Sequence, residues 1–273
     1  MRILVYIAVL LGILTGSCDA ELKVKKRAVK AFEYYGDGEK YKAARMFDKM
    51  VEKYPESNFT VKNIYNAAII YDEIDSNSLA YQRYQRLLRL DIDDQEKDSS
   101  RDIGETRANY KHIACKNIGS IYYDWGEFRD ALRYYNNSTF MYPYYSDSAA
   151  SIKKHSIELD RLRASCHENL GNIDSALILT LQHAFTKSPW NAHPSKKRAL
   201  DLIFRHYDPL QIQSELEIAF ENLSVSRSVA YLPWRGYKVH IIPYDQTIDE
   251  FTPSAMKQTS LYIDLYRHNH IIE

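Results

Sequence analysis

The chain has little of what makes turns or covalent bridges. Of 273 residues, 9 are Gly, 8 are Pro and 3 are Cys. So few turn formers argue against a sandwich or barrel of many short strands. Three cysteines exclude a disulfide-stapled scaffold. Charge of one sign is also lacking, with 36 Lys+Arg against 36 Asp+Glu, so no bulk positive field is available to hold nucleic acid. Beyond the first residues no apolar run approaches membrane-spanning length. The chain has no GxSxG, P-loop, GxGxxG or HExxH, and no Cys/His spacing suited to a metal. His268-Asn269-His270 is too local to make a metal site by itself. The acidic stretch 91–107 lacks the Gly and Glu that an EF-hand calcium loop needs. Neither catalysis, nor a cofactor, nor a metal is expected.

What is abundant is tyrosine, 23 residues, in a chain that is 45% hydrophobic. With Gly and Pro scarce, this composition favours long helices packed through aromatic side chains.

The N-terminus reads as a processing segment. Arg2 supplies a short positive region, and Ile3 to Leu14 is almost wholly apolar, the length of a signal-peptide core. It ends in Leu14-Thr15-Gly16-Ser17-Cys18, which resembles a bacterial lipobox, although Thr15 stands where Leu is usual. The resemblance implies a signal peptide over residues 1–17 and lipidation at Cys18. It also implies a lipid anchor at the bacterial cell envelope, with the outer membrane the expected site. Each buried acyl CH₂ contributes ~0.8 kcal/mol, so several chains on one Cys hold a protein stably to a membrane. The alternative is an ordinary signal peptide with Cys18 incidental.

The clearest internal pattern runs from His112 to Tyr145. Counted from His112, Gly119 falls at position 8, Tyr122 at 11, Phe128 at 17, Ala131 at 20, Tyr135 at 24, Ser138 at 27 and Pro143 at 32. Small residues at 8 and 20 let two antiparallel helices approach, and aromatics at 11, 17 and 24 fill the space between them. Gly126 is placed to stop the first helix, and Pro143 to end the second. This 34-residue pattern resembles the tetratricopeptide repeat (TPR). Similar units run over 24–56, 61–94 and 157–190. In the first, Ala31, Ala43 and Phe47 take positions 8, 20 and 24; in the second, Ala68, Ala80 and Tyr84 do so. The fourth has Ala164 and Ala176 at 8 and 20, but Thr180 and His183 are weak choices at 24 and 27.

The expected fold is all-α, a TPR-like α-solenoid of about four helical hairpins over residues 18–194. A capping helical pair follows over 195–224, the first helix started by Ser195. Residues 225–273 form a C-terminal extension. There, Val229 to Leu232 and Tyr237 to Ile242 read either as a small hairpin or as an irregular segment. Thr252 or Ser254 caps a last helix to about His268. Cys115 and Cys166 fall at positions 4 and 10 of first helices. That placement favours two packed thiols, with a bridge the alternative in an oxidising compartment.

The resemblance also implies where a partner binds. In TPR proteins the first helix of each hairpin lines a concave face. Carried onto this chain, those slots hold Phe32 and Tyr35, then Tyr65, Ile69 and Asp72. Next come Lys116 and Tyr123, and then Arg161 and Glu168. Aromatics in such a groove suit an extended peptide or a partner helix. The Lys/Asn arrangement with which some family members hold a peptide carboxylate is missing. The expected function is a membrane-anchored adaptor for a protein partner at the envelope. The alternative is capture of a glycan or nutrient beside an outer-membrane transporter.

Overall fold

The computed structural model of the chain describes residues 20–96, 107–185, 194–226, 229–241 and 251–271. The expected signal peptide and Cys18 lie outside the described residues. The fold is all-α apart from a three-stranded sheet near the C-terminus. No helix among the described residues is long and apolar enough to cross a membrane. The chain divides into two units. Met1–Trp125 with Asn137–Asp147 make the first, and Gly126–Asn136 with Ser148–Glu273 make the second.

The first unit holds α1 (residues 20–36), α2 (Lys40–Lys53), α3 (Thr60–Glu73), α4 (Asn77–Arg89) and α5 (Tyr110–Asp124). A π-helical turn, Asn137–Met141, also belongs to it. The alanines expected at helix crossings, Ala31, Ala43, Ala68 and Ala80, are all fully buried. With no side chain beyond Cβ, they let neighbouring backbones close up. Phe47, Tyr71 and Tyr84 are fully buried as well. Each such aromatic removes ~150–250 Å² from water, which at roughly 25 cal/mol per Å² stabilises by several kcal/mol.

The two hairpin turns of this unit share one geometry. The N–H of Glu39 donates to Tyr34 C=O and that of Gly38 to Tyr35 C=O; Ser76 and Asp75 repeat this with Tyr71 and Asp72. Both turns need one left-handed residue, Gly38 (φ 81) in the first and Asp75 (φ 56) in the second. Asp is among the few side-chain-bearing residues that visit this region readily.

The start of α5 is capped from a distance. The backbone N–H groups of Lys111 and His112 each donate to Asp94 at 3.0 Å. A carboxylate there satisfies orphan donors and faces the positive helix end. Asn109, at the N-cap itself, has its side chain engaged elsewhere. It accepts from Tyr145 N–H and donates to Tyr145 C=O, both at 2.8 Å. One end of the acidic stretch is thus a structural cap, although it reads in the sequence as a solvated insertion.

The second unit holds α6 (Phe128–Asn136), α7 (Ala149–Asn169), α8 (Ile173–Leu181), α9 (Pro194–His206) and α10 (Pro209–Glu221). After these come β1 (Ser224–Ser226), β2 (Val229–Trp234), β3 (Tyr237–Ile241), α11 (Pro253–Lys257) and α12 (Ser260–Ile271). Ala164 and Ala176 are fully buried in the α7–α8 hairpin. The weak choices Thr180 and His183 are buried too. Each has a polar partner: the Thr180 hydroxyl donates to Ala176 C=O at 2.8 Å, and His183 Nε2 meets Asp160 at 2.8 Å. Arg163 donates to the same carboxylate at 2.8 Å.

Helix α9 begins at Pro194, so Ser195 is not its cap but a buried residue of its first turn. Pro at a first helical position loses only an N–H that has no intrahelical partner. At α10, Asp208 caps by accepting from Leu210 N–H at 3.0 Å. The C-terminal segment resolves toward sheet, in the order β1-β2-β3, all antiparallel. Arg235 (φ 50) and Gly236 (φ 77) form a two-residue turn between β2 and β3, both left-handed as a type I′ turn requires. Ala230, Leu232, Trp234, Val239 and Ile241 alternate inward and join the core of α8, α9, α10 and α12. The expected last helix is two helices. Thr252 caps α11 by accepting from Ala255 N–H at 3.1 Å, and the chain breaks at Thr259 before α12. The Thr259 hydroxyl, fully buried, donates to Met256 C=O at 2.7 Å across the break.

Candidate functional site

In the first unit, α1 and α3 lie side by side and parallel. At one end the Glu21 carboxylate accepts from Asn58 N–H at 2.9 Å and from the Ser57 hydroxyl at 3.1 Å. At the other, the Tyr35 hydroxyl donates to Glu73 at 2.9 Å. Between them is a recess of about 220 Å³ lined by Phe32, Tyr35, Tyr65, Asn66, Ile69, Ile70 and Glu73. Four of the residues expected on the binding face, Phe32, Tyr35, Tyr65 and Ile69, therefore converge.

Phe32 is 53% exposed, although its edge meets Phe47 with ring centroids 5.2 Å apart. Tyr65 stands edge-on to Tyr110 of α5, also at 5.2 Å. Glu73 forms the polar lip, where Lys40 pairs with it at 3.1 Å. The carboxylate and the hydrogen bond to it hold the Tyr35 phenol above its ordinary pKa. The recess is thus apolar inside, with a charged and hydrogen-bonded edge.

Asp72, expected on the same face, is not part of the recess lining. It accepts from the Tyr84 hydroxyl at 3.2 Å, and Tyr84 in turn accepts from Asn117 Nδ2 at 2.7 Å. Burial raises the Asp72 carboxyl above the usual range; Asp124, Asp75 and Glu73 raise it further against the pull of Tyr84. Lys116 and Tyr123 sit half-buried on α5 and are not part of the recess lining. Arg161 and Glu168 lie on α7, in the second unit. Arg161 is exposed there. Glu168 is no open groove position: its side chain is 14% exposed, with Arg198, Arg205 at 2.8 Å and His206 at 3.3 Å gathered on it. The spacing of repeat positions marked Glu168 as groove-facing because it carries no information on α9, which supplies all three cations.

Asn66 and Ile70 complete the recess and were not marked by the repeat positions. Their signal is the helical spacing of α3: Asn66 lies three residues before Ile69 and four before Ile70, one turn away along the same side.

A second hollow, about 470 Å³, opens on the sheet of the second unit. Its lining includes Asn222, Ser224, Tyr231, Pro233, Tyr237 and Lys238. Lys238 Nζ lies 4.0 Å from the Tyr231 ring centroid. Arg235, at the same rim, is held by Glu215 at 2.6 Å and Asp174 at 2.9 Å.

Cys115 and Cys166 are free thiols, both fully buried. No group of three or more His, Cys, Asp and Glu suited to a metal occurs among the described residues.

No family model and no curated protein matches the chain. Solved structures of helical proteins are similar to it. A MamA protein is 18% identical, over 67% of this chain and 74% of that one, with a TM-score of 0.40. PilF of Pseudomonas aeruginosa is 13% identical, over 73% and 74%, with a TM-score of 0.44. YrrB, described as a TPR protein with an unusual peptide-binding site, is 15% identical, over 66% and 86%, with a TM-score of 0.40. Likenesses this loose assign no role to any residue of this chain.

Proposed function

We propose that this chain is an interaction adaptor of the bacterial envelope, held to a membrane by lipid on Cys18 and binding a protein partner without catalysis. The observation that carries the binding half is the recess between α1 and α3. A large apolar side chain, Phe32, is more than half exposed on its wall, beside Tyr65 and Ile69. An exposed aromatic in a concavity is the kind of anchor that gains most when a partner excludes water from it. The lipid half rests on the lipobox-like residues 14–18.

The test is a detergent-solubilised pull-down of the full-length protein beside its Cys18→Ala and Phe32→Ala variants, read by mass spectrometry. The reading expects a stoichiometric envelope partner, lost with Phe32→Ala and reduced with Cys18→Ala. Equal recovery with Phe32→Ala overturns the groove assignment, and equal membrane association of Cys18→Ala overturns the anchor.

A second reading, capture of a glycan or nutrient, is supported by the hollow on the sheet. Tyr231, Tyr237 and Pro233 offer ring faces there, with Asn222 and Ser224 as polar neighbours. Saturable, sugar-dependent quenching of the aromatic fluorescence, abolished by Tyr237→Ala, favours it over the adaptor.

A further inference from the structure

In the first unit, the helices that line the recess and α5 carry acids at their C-terminal ends. In α2 and α4 the last turns carry Lys53, and Arg86 and Arg89. Cations there face the negative end of the helix dipole and stabilise it. Neither α3 nor α5 has an acid in its first turn or a base in its last. Lys62 lies near the start of α3, Lys111 near the start of α5 and Lys116 at its middle, while the acids stand at the C-terminal ends, Asp72 and Glu73 on α3 and Asp124 on α5. In α1, Lys23, Lys25, Lys26, Arg27 and Lys30 precede Glu33, while Glu21 stands in the first turn.

Because α1 and α3 run parallel, their negative ends lie along one lip of the groove. The C-terminal end of α5 lies toward the same side: Tyr65 meets Tyr110 near the starts of α3 and α5, and Tyr84 links Asp72 to Asn117 further along both, so the two helices run in one direction. Asp75 stands on the same lip, exposed, directly after α3. Lys40 pairs with Glu73. Dipoles and carboxylates therefore add on this lip, at a cost to helix stability that a neutral sequence would avoid. The carboxylates by themselves would mark only a solvated rim. What makes them selective is the apolar recess beside them, which fixes where a bound side chain sits.

We propose that the groove of the first unit takes a basic segment of its protein partner. One large apolar side chain enters the Phe32–Ile69 recess, and Lys or Arg side chains lie against Asp72, Asp75 and Asp124. This rests on the recess being the partner surface. Acidic segments are rejected by like charge at the lip, which is how such a groove chooses among apolar sequences.

The experiment selects binders from a random dodecapeptide library on the immobilised full chain, then measures one enriched peptide by fluorescence anisotropy with a neutral dye. Asp75→Asn with Asp124→Asn removes two charges without altering shape, and Asn tolerates the left-handed backbone at 75. Enriched peptides are expected to pair a large apolar residue with Lys or Arg. The double variant is expected to weaken them roughly fivefold to tenfold at low salt, and added salt to do the same to the parent protein. Neutral or acidic winners, or binding indifferent to both the double variant and salt, overturn the charge preference and leave the groove standing. Winners indifferent to Phe32→Ala, or no enrichment over bare resin, overturn the groove reading itself.

Discussion

The Tyr35 hydroxyl donates to the Glu73 carboxylate at 2.9 Å, joining the ends of two helices 38 residues apart in sequence. The contact is exposed, so water competes for both groups. Tyr35→Phe keeps the ring that walls the recess and loses only this bond. It is expected to cost no more than ~1 kcal/mol in urea denaturation. Tyr35→Ala is expected to leave a folded chain with weakened partner binding. Unfolding by Tyr35→Phe would show that the contact is structural.

Tyr84 is the buried counterpart. Its ring is fully buried, and its hydroxyl donates to Asp72 and accepts from Asn117, both of them half-buried. Tyr84→Phe strands both partners, and leaving a buried polar group unpaired costs ~1–3 kcal/mol. The urea midpoint of the first unit should fall accordingly, with no change of slope. A midpoint unchanged from the parent would mean that Asp72 and Asn117 find other partners at once.

These two tyrosines also show what was legible in the sequence. The small-residue positions were, because Ala31, Ala43, Ala68 and Ala80 can serve a close helix crossing and little else. The left-handed conformation of Asp75 in its turn was not, since Asp reads equally well as surface charge. Thr180 and His183 looked wrong for a core because their partners, Ala176 C=O and Asp160, depend on packing between helices. The sheet stayed undecided because Pro233 argues against a central strand. Groove positions on α1 and α3 could be inferred from the repeat. Glu168 could not, because its cations come from a helix outside the repeat pattern.

Acid should loosen the second unit. The Arg235 guanidinium holds the Glu215 carboxyl below its ordinary 4.5. For Glu168, burial pushes upward, but Arg198, His206 and Arg205 outweigh it and hold it low. The unfolded chain takes up these protons near the ordinary value while the folded chain still refuses them. The stability they give is therefore present above pH 4.5 and lost as pH falls through the depressed folded values. His167 adds to the loss earlier, since burial and then Arg163 hold its pKa under 6.5. Unfolded His167 then binds a proton first as pH drops through 6.5. Thermal melts by circular dichroism from neutral pH down to about pH 3 check this. Glu168→Gln should melt lower at neutral pH and decline less steeply below it. Parallel curves for the two proteins would contradict the argument.

Burial pushes the Cys115 and Cys166 thiols up to about 12. Neither is a thiolate at neutral pH, and the thiolate is the reactive form. In the native protein both should resist iodoacetamide over hours, as mapped by peptide mass. Both should label fully once guanidinium unfolds the chain. Fast native labelling of one would mean that its helix opens locally.

Pro233 lies in the middle strand of the sheet, where proline is normally unwelcome. Its place accounts for it. Strand β1 pairs with β2 only as far as Tyr231, so β2 runs on alone past that point. Trp234 and Tyr237 flank the two-residue turn as its hydrogen-bonded pair, which turns the Pro233 nitrogen toward the edge that β1 has left uncovered. A foreign strand laid along that edge meets a ring where it needs a donor. When many copies are crowded together, the exposed stretch of β2 is therefore a poor template for sheet growth from molecule to molecule.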